Sequence, residues 1–106
     1  MKISNLDYLP RYEITKDLGL VRANVVRAKH VGKDFIAGLK NIVGGEIKEY
    51  TEMLSESREI ALKRMEKKAK ELGADAVINV RFMTSSIAGG AAEIMAYGTA
   101  VKIKKK

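Results

Sequence analysis

Between Glu46 and Met83 the chain changes its hydrophobic period once, and that switch limits its folds more than any other feature. Up to Leu72, apolar residues recur every three or four positions. From Ala76 they recur every second one, with Gly73 in between. The first pattern predicts a long helix starting near Glu46, where a carboxylate suits the positive end of the helix dipole. Its buried stripe is Ile47, Tyr50, Leu54, Ala61, Met65, Ala69 and Leu72, with Ser57 completing one turn. Arg58, Lys63, Lys67 and Lys70 point to water. Lysines in the last turn and Gly73 just beyond end it. The second pattern predicts a strand from Ala76 to Met83, with Ala76, Ile78, Val80 and Phe82 on one face and Val77, Asn79, Arg81 and Met83 on the other. A further strand, from about Glu93 to Ile103, sets Met95, Tyr97, Thr99, Val101 and Ile103 against Ile94, Ala96, Gly98 and Ala100. So small a face implies close approach by a helix or another backbone at Gly98. The connection Thr84 to Ala92 carries no charge. Exposed hairpin loops are normally polar, so this one is expected to pack against something outside its own subunit.

The first third reads as extended. Tyr12, Ile14, Leu18 and Leu20 recur at even spacing and Val21, Val25 and Val26 continue toward Ala28, which predicts two strand segments with a bulge or bend at Gly19. Asp34 can cap a short helix whose apolar face is Phe35, Ile36, Leu39, Ile42 and Val43, stopped by Gly44 and Gly45. The whole is one α+β domain over residues 1–106 with a Lys-rich tail at 102–106, near the size at which burying a partner's surface adds useful stability.

Composition excludes several functions. Without cysteine there are no disulfides, thiolate metal sites or cysteine nucleophiles. No stretch approaches the ~18–20 apolar residues of a membrane span, and the N-terminus lacks a signal peptide's apolar core, so the expected location is the cytoplasm. The net charge of +7 and pI of 9.7 invite a nucleic-acid reading. Against it, four basic residues sit in the tail as Lys102, Lys104, Lys105 and Lys106, and the rest mix with acidic residues. Stacking aromatics are also scarce, Phe35 and Phe82 reading as core.

One ordered set of motifs runs through the chain: Gly44-Gly45-Glu46, Tyr50-Thr51-Glu52 and Ser57-Arg58-Glu59-Ile60-Ala61, then Leu72-Gly73-Ala74-Asp75-Ala76-Val77, then Tyr97-Gly98-Thr99-Ala100-Val101. From about Leu18 to Ile103 the sequence resembles the YbjQ-like family of small proteins, which carries a heavy-metal-binding designation. The resemblance implies a fold similar to the dodecin subunit, a small antiparallel sheet packed on one long helix with a short helix before it. It also implies self-assembly into a ring, a pentamer. It transfers no catalytic residues.

A divalent or soft metal ion has few candidate ligands here. Soft metals favour thiolate, imidazole or thioether, and the chain offers one imidazole, His30. Arg27, Lys29 and Lys33 surround it and repel a divalent ion, so a surface histidine is the simpler reading unless a ring gathers several copies. Met53, Met65, Met83 and Met95 read as gap-fillers in the core or between subunits rather than a copper(I) relay. Gly44-Gly45 reads as a helix-to-helix turn rather than a phosphate cradle, since Glu46 repels an anion. Glu46, Glu49, Glu52, Glu56 and Glu59 read as ordinary helix-surface ion pairing with nearby Lys48, Arg58 and Lys63. The remaining candidates for ligand binding are His30, Asp34, Arg81 and Tyr97, with Gly44, Gly45, Gly73 and Gly98 structural. No nucleophile with an adjacent base, acid pair or cofactor fingerprint is readable. A ring-forming protein that binds a metal ion or small ligand between subunits is therefore favoured over an enzyme with composite sites using His30, Asp34, Arg81 or a helix glutamate.

Overall fold

The computed structural model describes residues 1–28 and 48–106. The expected short helix, the Gly44-Gly45 turn, His30 and Asp34 lie outside the described residues. The elements are β1 (Lys2–Ile3), β2 (Tyr12–Ala28), α1 (Lys48–Glu71), β3 (Ala76–Ile87), a 3-10 turn (Ala88–Gly90) and β4 (Ala91–Lys105). The four strands form one sheet in the order β1-β3-β4-β2, with α1 packed on one face. The pairings β2–β4 and β3–β4 are antiparallel, whereas the two residues of β1 run parallel to Ala76 and Val77. The small antiparallel sheet expected is thus present, with the two residues of β1 added in parallel at one edge.

Small residues let helix and sheet approach closely. Met53, Ser57, Ala61, Met65 and Ala69 form one buried row at four-residue spacing, and Ala61, Met65 and Ala69 pack in one cluster with Val21, Ala23, Val25, Ile94, Ala96 and Ala100. Met53 replaces Leu72 in the expected stripe, because a strict four-residue row drifts round the helix and leaves Leu72 half exposed. The buried hydroxyl of Ser57 donates to the Met53 carbonyl at 2.7 Å, so it remains hydrogen-bonded inside the core.

Gly73 ends α1 at φ +83°. Its N–H donates to the Lys70 carbonyl at 2.9 Å, and that of Ala74 to Ala69 at 3.0 Å, the paired bonds of a Schellman cap. A Cβ at Gly73 would meet only the Lys102 Nζ, at 3.9 Å. Gly73→Ala is therefore expected to cost about 1–2 kcal/mol through backbone conformation alone, read as a lower urea midpoint at unchanged slope. Asp75 then aligns the next strand: its N–H donates to Val101, and its Oδ2 accepts from the Ile103 N–H at 3.1 Å.

Three expectations about the strands change. The first third is one strand, not two, with register shifts at Ile14/Lys16 and Asp17/Gly19; Asp17 Oδ1 accepts from the Gly19 N–H at 2.7 Å. Period two also breaks inside β3. Asn79 sits at φ +54° in a register shift between Ile78 and Arg81, and this bulge places Val77 and Val80 together on the helix face. Phe82 follows them, opposite Ala96, but lies beyond the helix's cover and is 43% exposed rather than core. Lastly, the uncharged connection is mostly strand, β3 reaching Ile87 and β4 starting at Ala91, because Thr84 to Ile87 continue the ladder with Ala91 to Ile94.

Candidate functional site

The face of the sheet away from α1 divides into two regions. At one end the N-terminal segment folds over it, burying Leu9 against Ala76, Ile78 and Val101 with Tyr12 and Ile103 alongside. The bulge holds this segment: the Asn79 N–H donates to Leu6 and that of Val80 to Ser4, at 2.8 and 3.0 Å. At the other end, the register sets side chains in rows across β2, β4 and β3. Arg22, Tyr97 and Arg81 form one row, followed by Asn24, Met95 and Met83, then Val26, Glu93 and Ser85.

Two of the four sequence candidates thus meet. Arg81 lies directly across the ladder from the half-buried Tyr97. Arg81 Nη1 donates to the Asn5 carbonyl at 2.7 Å and to that of Val80 at 3.1 Å, so the guanidinium clasps the N-terminal segment to the bulge. Its planar fork suits this double carbonyl contact. Arg22, on the other side of Tyr97, was not among the sequence candidates; only the β2–β4 register reveals its place.

A shallow groove of about 400 Å³ follows the outer side of β2, bordered by Leu20, Val21, Arg22, Lys68, Glu71 and Leu72. Helix cations reach across beside it, Lys68 Nζ donating to the Arg22 carbonyl at 2.9 Å and Arg64 Nη1 to that of Asn24 at 3.1 Å. Leu20 and Leu72 flank the groove at 64% and 50% exposure. Arg27, further along β2, pairs with Glu56 at 3.0 Å.

Among the described residues, no three His, Cys, Asp or Glu side chains converge, so they offer no cage for a borderline or hard dication. The methionines divide sharply. Met53 and Met65 are sealed in the core, whereas Met83 and Met95 oppose each other on the uncovered face. No described helix is long and apolar enough to cross a membrane.

Comparison with known proteins supplies the family context. Residues 1–104 match the family model YbjQ_1, described as "Putative heavy-metal-binding". A UPF0145 protein of Archaeoglobus fulgidus is 62% identical over 96% of this chain and 94% of its own length. Another from Psychrobacter arcticus is 61% identical over 96% of this chain, which spans 65% of that longer protein. A crystal structure of a DUF74-family protein of unknown function from Pediococcus pentosaceus matches with a TM-score of 0.66 at 19% identity, covering 98% of both chains. At that identity the likeness concerns the fold.

Proposed function

Because the chain belongs to the YbjQ-like family, we propose that it is a ring-forming homo-oligomeric binding protein, built of five copies, whose subunit contacts hold a heavy-metal ion or small ligand. One observation carries this reading: the distal half of β3, Arg81 to Ile87, is seven consecutive exposed residues that include Phe82, Met83 and Ile87. An open sheet edge that carries apolar side chains into water is a template for pairing with another chain. From Arg81 onward β3 has no strand on its outer side among the described residues, since β1 pairs only with Ala76 and Val77.

The occupant argued for is a second copy of this chain. The free side of β3 and the groove beside β2 lie at opposite ends of the strand order, so one copy's hairpin meets the next copy's β2 side. Such a head-to-tail contact generates a ring when its rotation closes. Leu20 and Leu72 at the groove give Phe82 and Ile87 apolar partners. The family resemblance supports five as the number of copies.

Native mass spectrometry of untagged protein tests the proposal, reporting stoichiometry and any co-purified ion together. One closed oligomer of five chains is expected. Ile87→Asp, which places a charge on the exposed hairpin without touching the buried cores, should give monomers of unchanged helical circular dichroism. A monodisperse wild-type monomer at micromolar concentration overturns the reading.

A further inference from the structure

We propose that Met83 and Met95 form a binding site for a soft monovalent ion, Cu(I) or Ag(I), contained within one chain. The site goes beyond the function proposed above, which places its ligand at subunit contacts, and shares with that reading only the class of ligand, a heavy metal. The register places the two residues directly opposite on neighbouring antiparallel strands, on the sheet face that α1 does not cover. Cβ atoms of such pairs stand about 4.5–5.5 Å apart. Each thioether arm has three rotatable bonds, so two sulfurs can turn onto one ion without moving the backbone. Met83 is 51% exposed and Met95 half-buried, giving an ion from solution an approach to both. Methionine's usual structural role, filling irregular gaps in a core, is met here by Met53 and Met65 at 6% and 0% exposure.

Chemistry and charge together select the ion. Thioether sulfur is a soft, neutral donor that favours Cu(I) over harder divalent ions, and it needs no deprotonation to bind. One row along the same face stand Arg22 and Arg81 on either side of Tyr97, whose positive field costs a dication twice what it costs a monocation. On the far side Glu93 supplies one carboxylate. Asn24, facing Met95 from β2, adds no charge to the same row. Without cysteine, no thiolate in the chain competes for the ion.

The test uses Ag(I), which needs no reductant, added as silver nitrate to the full-length protein labelled with ¹³C at its methionine methyl groups. The methyl resonances of Met83 and Met95 are expected to shift and saturate at one ion per chain, while those of Met1, Met53 and Met65 stay in place. Met83→Leu and Met95→Leu preserve volume and apolarity, and each is expected to weaken Ag(I) binding by about tenfold or more. Equal shifts at the exposed Met1, no shift at the pair, or undiminished affinity in the double variant overturns the site. Light scattering on the same samples reads assembly separately. A closed ring without the methyl shifts overturns the methionine site and leaves the ring, whereas a monomer with the shifts overturns the ring and leaves the site.

Discussion

Gly98→Val is expected to leave most of the chain unfolded at room temperature, and Gly98→Ala to lower stability by about 1–3 kcal/mol, the usual cost of overpacking. A Cβ built at Gly98 lies 2.7 Å from Val77 Cγ1, 2.9 Å from the Ile78 carbonyl oxygen and 3.2 Å from Val80 Cγ2. The crowding comes from the bulge at Asn79, which turns Val77 and Val80 onto the same face of β3 beside the same position of β4. The valine methyls can adjust slightly. The carbonyl is backbone, held in the ladder, and cannot. Adding Val77→Ala to Gly98→Ala should therefore restore only part of the loss. Urea denaturation followed by circular dichroism measures both effects; an unchanged midpoint in Gly98→Ala contradicts the strand packing described. Any loss of assembly in Gly98→Val would follow from lost folding within one chain, which separates it from Ile87→Asp, where the fold is expected to persist.

Met65→Ala should cost about 2–5 kcal/mol, the range for removing a large buried side chain and leaving part of its volume empty. Met65 is fully buried and, with Met53, is one of the two bulky members of a helix row otherwise made of Ser57, Ala61 and Ala69. The sheet beneath presents Ala23, Ala96 and Ala100, none of which can extend into the space. Met65→Leu, nearly equal in volume, should stay below about 1.5 kcal/mol. Thermal unfolding of the two variants side by side gives the comparison, and a loss in Met65→Ala no larger than in Met65→Leu would mean that the helix does not seat on the sheet at this residue.

The sequence by itself determined the fold class, the existence of the long helix and its end at Gly73. These are local matters: a three-and-four apolar spacing, the switch to period two, and a glycine suited to the left-handed conformation that stops a helix. The small-residue face of β4 was legible for the same reason, since alternation along one strand needs no knowledge of its neighbours. Tertiary structure alone decided the register. The bulge at Asn79 rests on a non-glycine residue with positive φ and carries no strong local signal, yet it moved Val80 from the face of Ile78 to that of Val77. Phe82 and Leu72 looked internal because hydrophobicity predicts what prefers burial, whereas where α1 ends over the sheet decides what is covered. The rows that join Arg22, Tyr97 and Arg81, and Met83 with Met95, bring together residues 12 to 75 positions apart in the chain. Side-chain periodicity tells which face a residue takes within its own strand. Which residue stands opposite is fixed by hydrogen-bond register between strands, and a single bulge resets it.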